Sequence, residues 1–551
     1  MSNQMLGYIV VFGTFVAFLY IAFATRAKKS DDFYVAGRKV PTVWNGMAVG
    51  ADWMSAASFI SMAGALNALG YDGLAYIMGW TGGYVLLALV LAPYLRKFGK
   101  YTAPDFIGDR YESHGARVVA IICAIIISLT YCIAQVAGAG IIMARLLGFP
   151  MNAAIAVGIV IVVASTVMGG MKSITWTQCA QYIVLIVGYL IPVTALCIKM
   201  YGHPFPQFAY GDLLYKIVAK EQELNIKPLY IEPFTKMNAV DMWVLTLVLM
   251  VGTAGLPHIM MRFFTVPSVR SSRYSAGWAL IFIGALYITA PAYAAFQKYV
   301  VLHEVVGKSI TALPDWVTAW GKAGLIKVTD TNGDGILQFA ELNIHRDVVV
   351  LSMPEIAQLP YIVSALVAAG GLAAAISTAD GLLMVIASAI SHDLYFRMIN
   401  PKATETQRVV LGKSLIGVFA VIAGLIASQD IGFIVQIVAW AFSLAASSFF
   451  PAIVMGVFYK RTNKQGAMVG MVGGLLITTF YILGVKFGWP TKIDPILGIK
   501  DQGAGLFGMI FNFLSCWIIS AVTPPPSERI MNLVDHLRYP VKLTDEFDSF
   551  H

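Results

Sequence analysis

Ser377 and Thr378 stand side by side at the end of Gly370-Gly371-Leu372-Ala373-Ala374-Ala375-Ile376-Ser377-Thr378, within a long apolar stretch. Hydrocarbon offers no water and no spare peptide groups, so hydroxyls at that depth either bond back to carbonyls of the preceding turn or act as ligands. The small residues beside them let a second helix come close, and paired oxygens between closely packed helices suit a dehydrated cation. A second oxygen-rich pattern lies elsewhere, in Asp330-Thr331-Asn332-Gly333-Asp334-Gly335-Ile336-Leu337-Gln338-Phe339-Ala340-Glu341. It fits the twelve-residue calcium loop, with Asp330, Asn332 and Asp334 at positions 1, 3 and 5, the Ile336 carbonyl at 7, Gln338 at 9 and Glu341 at 12. Gly335 permits the sharp turn and Glu341 can close the shell with two oxygens. The plainer alternative is an acidic surface turn.

The elements that must position these groups are membrane helices. Of the 551 residues 58% are hydrophobic and 12% charged, and the mean hydropathy is +0.73, which excludes a soluble globule. Apolar stretches able to cross roughly 30 Å of hydrocarbon occur about thirteen times. They lie near 6–24, 44–68, 74–95, 117–146, 151–170, 174–200, 239–262, 274–300, 359–392, 407–428, 432–459, 465–485 and 505–523. The first is too long for a cleavable signal peptide, and its Arg26/Lys28/Lys29 flank lies on the wrong side. Loops rich in Lys and Arg stay cytoplasmic. Placing Arg26, Lys28, Lys29, Arg38 and Lys39 inside also puts Arg96/Lys97/Lys100, Arg270/Arg273 and Lys460/Arg461/Lys464 inside. This predicts an outside N-terminus, an inside C-terminus, and outward loops at 201–238 and 301–358. The net charge of +8 is then a topology signal and not a sign of nucleic-acid binding. The tail 524–551 reads as short, polar and cytoplasmic, with no room for a kinase or nucleotide-binding domain. The five cysteines, Cys123, Cys132, Cys179, Cys197 and Cys516, all fall within predicted spans and read as packing residues.

Two spans carry helix breakers at mid-membrane. One is Gly50-Ala51-Asp52-Trp53-Met54-Ser55 and the other Gly252-Thr253-Ala254-Gly255-Leu256-Pro257-His258. Irregular backbone at that depth is tolerated where it lines a cavity, and its freed carbonyls and amides can hold ions and anionic groups. A packing notch and a proline kink are the alternatives. The two lie five spans apart, as expected of two inverted five-helix repeats, about 44–200 and 239–459, each opening on a broken helix. Asp52 and Asp380 are intramembrane carboxylates and functional candidates by default, or partners of neighbouring helices. His258 is a possible proton-sensitive gate or a structural hydrogen-bonding group. Arg262 is placed at the cytoplasmic end of its span, which leaves no arginine at mid-membrane.

Over residues 6 to 523 the chain resembles the sodium:solute symporter family, and within it the acetate and short monocarboxylate permease branch. The stretches AAGGLAAAISTADG, SAISHDLY, GLPHIMMRFFTV, DWMSAASF and YCIAQVAGAG carry the resemblance. It implies an all-α polytopic protein of the plasma (bacterial inner) membrane, with a five-plus-five inverted-repeat, LeuT-type core. It also implies a sodium site made by the carbonyls of Ala51, Met54 and Ala374 and the hydroxyls of Ser377 and Thr378. Five neutral oxygens suit a monovalent ion that must also leave. Substrate contacts in this fold come from the broken helices and two facing helices, which nominates Trp53, Ser55, Tyr131, Gln135, Thr253, Gly255 and Trp440. The sequence departs from members with a second sodium, since Thr175-Trp176-Thr177-Gln178 places an amide where they carry an Asp. One coupling sodium per cycle is therefore expected. The calcium loop is not among the usual family motifs and reads as a structural addition ordering the 301–358 insertion.

The function implied is sodium-driven import of a small carboxylate such as acetate by alternating access across the lipid bilayer, with no covalent chemistry. A proton-coupled carrier, a symporter for proline, sugar or pantothenate, and a membrane sensor of ligand or calcium are the alternatives. An enzyme finds no support: no Ser/His/Asp signature, no metal-ligand histidine cluster and no phosphate loop is present.

Overall fold

The computed structural model describes residues 3–27, 29–429 and 431–538; Lys28 and the end of the expected tail, 539–551, lie outside them. Each apolar stretch folds as helix, the conformation that satisfies every backbone N–H and C=O without leaving the segment. The chain runs through α1 (Asn3–Ala24), α2 (Thr42–Trp53), α3 (Met62–Leu69), α4 (Leu74–Leu86), α5 (His114–Leu147), α6 (Met151–Val167) and α7 (Gly170–Tyr201). It continues through α8 (Ala239–Gly255), α9 (Pro257–Phe264) and α10 (Val269–Tyr287), then α11 (Tyr361–Ser388), α12 (Glu405–Ala427), α13 (Ile434–Ser447), α14 (Lys464–Phe487) and α15 (Gly505–Val522). Polar caps set the ends. The Ser113 hydroxyl accepts the Ala116 N–H before α5, and Thr404 and Gln407 form a reciprocal capping box at α12.

Among the described residues ten helices are long and apolar enough to cross a bilayer, or eleven with the bent pair α8 and α9 taken as one span. The protein is an integral, multi-pass membrane protein. Two places separate this count from the expected thirteen. The stretches 44–68 and 74–95 join in a helical run, Ala57–Phe98, and α6 has only 17 residues. The run turns tightly at Gly70, whose φ of +59° favours glycine; a Cβ there would also overlap the Tyr230 carbonyl.

Both anticipated interruptions are present. After Trp53 the backbone leaves the helix at Met54 (φ −77°, ψ 70°) and resumes through a wide π turn, Ala57–Ser61. Between α8 and α9 Leu256 is extended (φ −74°, ψ 118°), Pro257 restarts the helix, and the axes bend by 42°.

Burial separates a core from its lipid-facing rim. Every residue of α13 is buried, and α11 is buried without interruption from Ala369 to Ser388, packed on α5 and α7. By contrast α1 exposes Val16 and Tyr20, α12 exposes Val418 and Leu425, and α15 exposes Trp517 and Val522. Large apolar side chains on an outer ring are what lipid contact requires. Within the 301–358 insertion, β1 (Ile326–Val328) pairs antiparallel with β2 (Leu342–Ile344), and Val328 opposite Leu342 closes the calcium-type loop at its base. The tail begins as a helix, Glu528–Arg538, tied to the body by Lys460 and Asp535 at 3.1 Å.

Candidate cation and substrate site

The break after α2 lies against the middle of α11. Ser377 Oγ is 2.7 Å from the Ala51 carbonyl oxygen and 3.0 Å from that of Ala374. Thr378 Oγ1 is 2.8 Å from the Asp52 carbonyl oxygen and 3.3 Å from that of Ala374. Each hydroxyl owns a single proton. Two protons therefore serve four close oxygen–oxygen approaches, so at most two of these can be full two-centre hydrogen bonds and the others share a proton. A small monovalent cation held by these five oxygens would relieve that mismatch. Ala51, Ala374, Ser377 and Thr378 thus lie together at the break. The remaining carbonyl in reach is that of Asp52, while Met54 forms the break itself.

Beneath this nest lies a layer of buried charge. Arg262, on α9, has no exposed side-chain surface and spends all three guanidinium nitrogens inside the protein. Nε donates to Asp52 Oδ2 at 3.0 Å, Nη1 to Thr175 Oγ1 at 3.1 Å, and Nη2 to Gln178 Oε1. Gln178 Nε2 in turn donates to the Ser377 carbonyl at 2.7 Å, so the amide joins the arginine to the nest. Arg262 does stand in the last turn of its helix, as expected, but its side chain is fully buried and reaches the carboxylate beside the break, so the core does hold an arginine. The signal that would have found it is a buried Asp in need of a cation, with Arg262 the one Lys or Arg on the facing broken helix. Asp380, two residues past Thr378, accepts from Ser165 at 2.8 Å and Thr166 at 2.5 Å. With both carboxylates ionised, Asp52, Asp380 and Arg262 sum to −1, and one monovalent cation brings the cluster to zero.

On the other side of the break an aromatic chamber begins. Trp53 packs at 5.5 Å on Tyr84 and 6.3 Å on Phe442, and Phe442 packs at 5.8 Å on both Trp80 and Tyr131. Tyr131 meets His258 edge to face at 5.5 Å. One turn beyond Tyr131, Gln135 accepts the Ala56 N–H at 2.9 Å. Buried donors collect here: Trp53 Nε1, Trp80 Nε1, the Ser55 and Tyr84 hydroxyls and Gln135 Nε2 make no hydrogen bond of ordinary geometry with any described residue. Apolar rings interspersed with buried N–H and O–H donors suit a small carboxylate with a methyl end. Trp53, Ser55, Tyr131 and Gln135 thus assemble. Thr253 instead bonds back to Leu249 at 2.8 Å, and Gly255 lets α8 approach α13, its Cβ position 2.7 Å from the Ala445 carbonyl. The Trp440 indole is bonded to Asp501 at 2.6 Å. Trp80, Tyr84 and Phe442 went unnoticed in the sequence because aromatics in an apolar span look like packing.

The calcium-type loop closes on its own amides. Asp330 accepts from Gly333 and Gly335 at 2.8 and 3.1 Å, and Asp334 accepts from Ile336 at 2.7 Å. Gln338 donates to Asp334 at 2.7 Å, Asn332 accepts the Asp334 N–H at 3.0 Å, and Glu341 accepts from Thr331 N at 2.8 Å and Gln338 N at 3.0 Å. Its three carboxylates do not converge; among the described residues the convergent trio of metal-ligand type is Asp105, His392 and Asp393.

The profile of the sodium:solute symporter family matches residues 33–317 and 343–474, passing over the segment that holds the calcium-type loop. An uncharacterized symporter of Cupriavidus necator is 37% identical, covering 97% of this chain and 94% of its own length. A monocarboxylic acid transporter of Corynebacterium glutamicum is 30% identical, covering 90% of this chain and 87% of its own length. The structure of a sodium-coupled sialic acid symporter in a substrate-bound outward-open state superposes with a TM-score of 0.70 at 17% identity, covering 95% of this chain and 99% of that one; it shows the shared fold. The broken helices, the oxygen nest on α11 and the matched profile lead to one conclusion: this chain is a transporter, not an enzyme, and belongs to the sodium:solute symporter family.

Proposed function

We propose that the protein is a sodium-coupled symporter that imports a small monocarboxylate such as acetate by alternating access, with one sodium per cycle. The observation that carries this reading is the proton shortage at Ser377 and Thr378, where two hydroxyl protons face four close oxygen contacts. The charge sum beside it favours one monovalent ion over two. The named relative from Corynebacterium glutamicum supports a monocarboxylate as cargo.

The coupling follows from chain continuity. Ala51 and Asp52 present carbonyls to the cation, and Trp53 and Ser55, the next residues along, face the chamber. An ion that draws the break onto α11 fixes the same few residues that receive the carboxylate. Trp53, Ser55, Tyr131 and Gln135, with Trp80 and Tyr84, hold the substrate through N–H and O–H donors, and the nearby sodium offsets its charge. An N-terminus outside and repeats at about 44–200 and 239–459 complete this reading, with thirteen spans when the Ala57–Phe98 run is taken as two and the 17-residue α6 as one. Calcium in loop 330–341 orders the outward insertion.

The test is uptake of labelled acetate into proteoliposomes under an inward sodium gradient, against an equal potassium gradient with no pH difference. Sodium-dependent accumulation, with competition by propionate, pyruvate and lactate, is the expected result. Uptake driven only by an imposed proton gradient would overturn sodium coupling, and absence of carboxylate uptake from folded protein would overturn the cargo.

A further inference from the structure

Beside the insertion lies a second cavity, of about 750 Å³, bounded by residues of α5, α6 and α13 and by the chain that leaves β2. Its charged lining is lopsided. Lys327, His345 and Arg346 face Asp347 alone among the described residues, three basic side chains to one carboxylate, whose Oδ1 accepts from the Ser61 hydroxyl and whose Oδ2 lies 3.6 Å from His345 Nδ1. Arg346 makes no hydrogen bond or ion pair with any described residue. Its guanidinium lies over the Phe433 ring at 4.7 Å. An arginine resting over an aromatic ring can still offer N–H groups to a planar carboxylate, the shape that the guanidinium fork matches with two parallel bonds.

The backbone beneath it is fixed. A Cβ on Gly64 would overlap the Arg346 carbonyl, so α3 and this strand exit touch main chain to main chain. With Asp347 bonded to Ser61, the segment is locked to the helix that continues the α2 break. The cavity also adjoins the chamber: it is lined by Ala137 and Ile141 of α5 and by Ile434 and Ile437 of α13, helices that carry Gln135 and Phe442 into the chamber. Between the two the packing is tight, with the Cβ position of Gly138 at 2.6 Å from Ala56 and 3.3 Å from Ile434.

We propose that Arg346 forms a carboxylate-capture subsite, distinct from the aromatic chamber, that receives the substrate before it passes the Gly138, Ala56 and Ile434 constriction. The proposal rests on the carboxylate reading of the central site. An arginine with no ion pair among the described residues, in a cavity that a lysine also lines, raises the local concentration of small anions and leaves the transport step itself alone. The subsite therefore acts on KM for the carboxylate and not on sodium affinity.

The experiment is labelled acetate uptake into proteoliposomes by the full chain and by Arg346→Gln, Arg346→Lys and Arg346→Cys. The glutamine variant is expected to raise the acetate KM about tenfold with its maximal rate and half-saturating sodium unchanged, and the lysine variant to fall between. All five native cysteines are buried, which leaves a cysteine at 346 as the target for thiol reagents. A cationic methanethiosulfonate reagent should restore a low KM to Arg346→Cys, and a neutral one of similar size should not. An unchanged KM in Arg346→Gln, or equal effects of the two reagents, overturns the subsite. If Arg346→Gln is inactive, the reagent pair decides. Acetate uptake without sodium dependence would instead sink the coupling ion while leaving the Arg346 comparison intact, and absence of carboxylate uptake by the unaltered protein would sink both.

Discussion

Arg262 and Asp52 form an ion pair, 3.0 Å from Nε to Oδ2, between two side chains with no exposed surface. The pair joins the two broken helices, since Asp52 closes α2 and Arg262 lies on α9. Removing one partner leaves a buried charge without its counterpart, at a cost of about 3–5 kcal/mol, whereas removing both charges together costs less. Asp52→Asn and Arg262→Gln should each melt well below the double variant Asp52→Asn/Arg262→Gln in detergent, followed by tryptophan fluorescence. Additive losses would mean that the two charges do not depend on each other.

Ser377→Ala and Thr378→Ala each delete one of five oxygens from the nest. Losing a ligand should raise half-saturating sodium for acetate uptake by about tenfold or more, on the scale of one lost charge-assisted contact of about 1.5–3 kcal/mol. The acetate KM at saturating sodium should move far less, because neither hydroxyl lines the chamber. Unaltered sodium dependence in the double variant would remove these residues from the ion's path.

The charge sum has a measurable counterpart in electrogenicity. One sodium entering with one monocarboxylate carries no net charge, so uptake should be insensitive to an inside-negative potassium diffusion potential set with valinomycin. Arg262→Gln removes the internal cation and takes the cluster from −1 to −2, which invites a second sodium. If that variant transports, its sodium dependence should steepen and its uptake should respond to potential. Potential-driven uptake by the unaltered protein would mean that more than one cation enters per cycle.

How much of this was legible in the sequence follows from what each residue depends on. Ser377 and Thr378 stood out because hydroxyls in hydrocarbon demand an account, and the Asp52 to Ser55 break because helix breakers at mid-span do. Both demands are local. The partner of Asp52 lies 210 residues away, and nothing near Arg262 announces that its side chain turns back into the bundle. Trp440 was nominated for its position on α13, yet its indole N–H is taken by Asp501, beyond the next span, a pairing settled by how loops fold over the bundle. The span count differed for a related reason. Periodicity separates 44–68 from 74–95, but a four-residue turn, Gly70–Gly73, keeps the chain helical on either side. Element type was set by hydrophobicity, whereas side-chain pairing was set by tertiary contact.

The loop 330–341 carries the clearest prediction about metal and pH. Two of its carboxylates are held anionic by donors: the Thr331 hydroxyl and the Gln338 and Thr331 amides keep Glu341 below the usual carboxylate range, and the Ile336 amide, with Asn332 and Gln338, does the same for Asp334. A carboxyl whose folded-state pKa is depressed contributes stability that is complete above its unfolded value, near 4, and is lost as pH falls through the lower folded value. The loop should therefore keep its form, and any calcium affinity, unchanged from pH 8 to pH 5, and lose both only below about pH 4. At neutral pH, 10 mM calcium acting on a site with a dissociation constant of about 10⁻⁴ to 10⁻³ M would stabilise the loop by roughly 1.4 to 2.7 kcal/mol. Glu341→Gln, which removes the charge of position 12 and keeps its shape, should abolish that response. The measurement is proteolysis of the 301–358 insertion with and without calcium, at pH 7 and pH 5. Protection by calcium at both pH values that disappears in Glu341→Gln is the expected pattern. Equal protection by magnesium, or calcium protection that survives Glu341→Gln, would reduce the loop to an acidic turn.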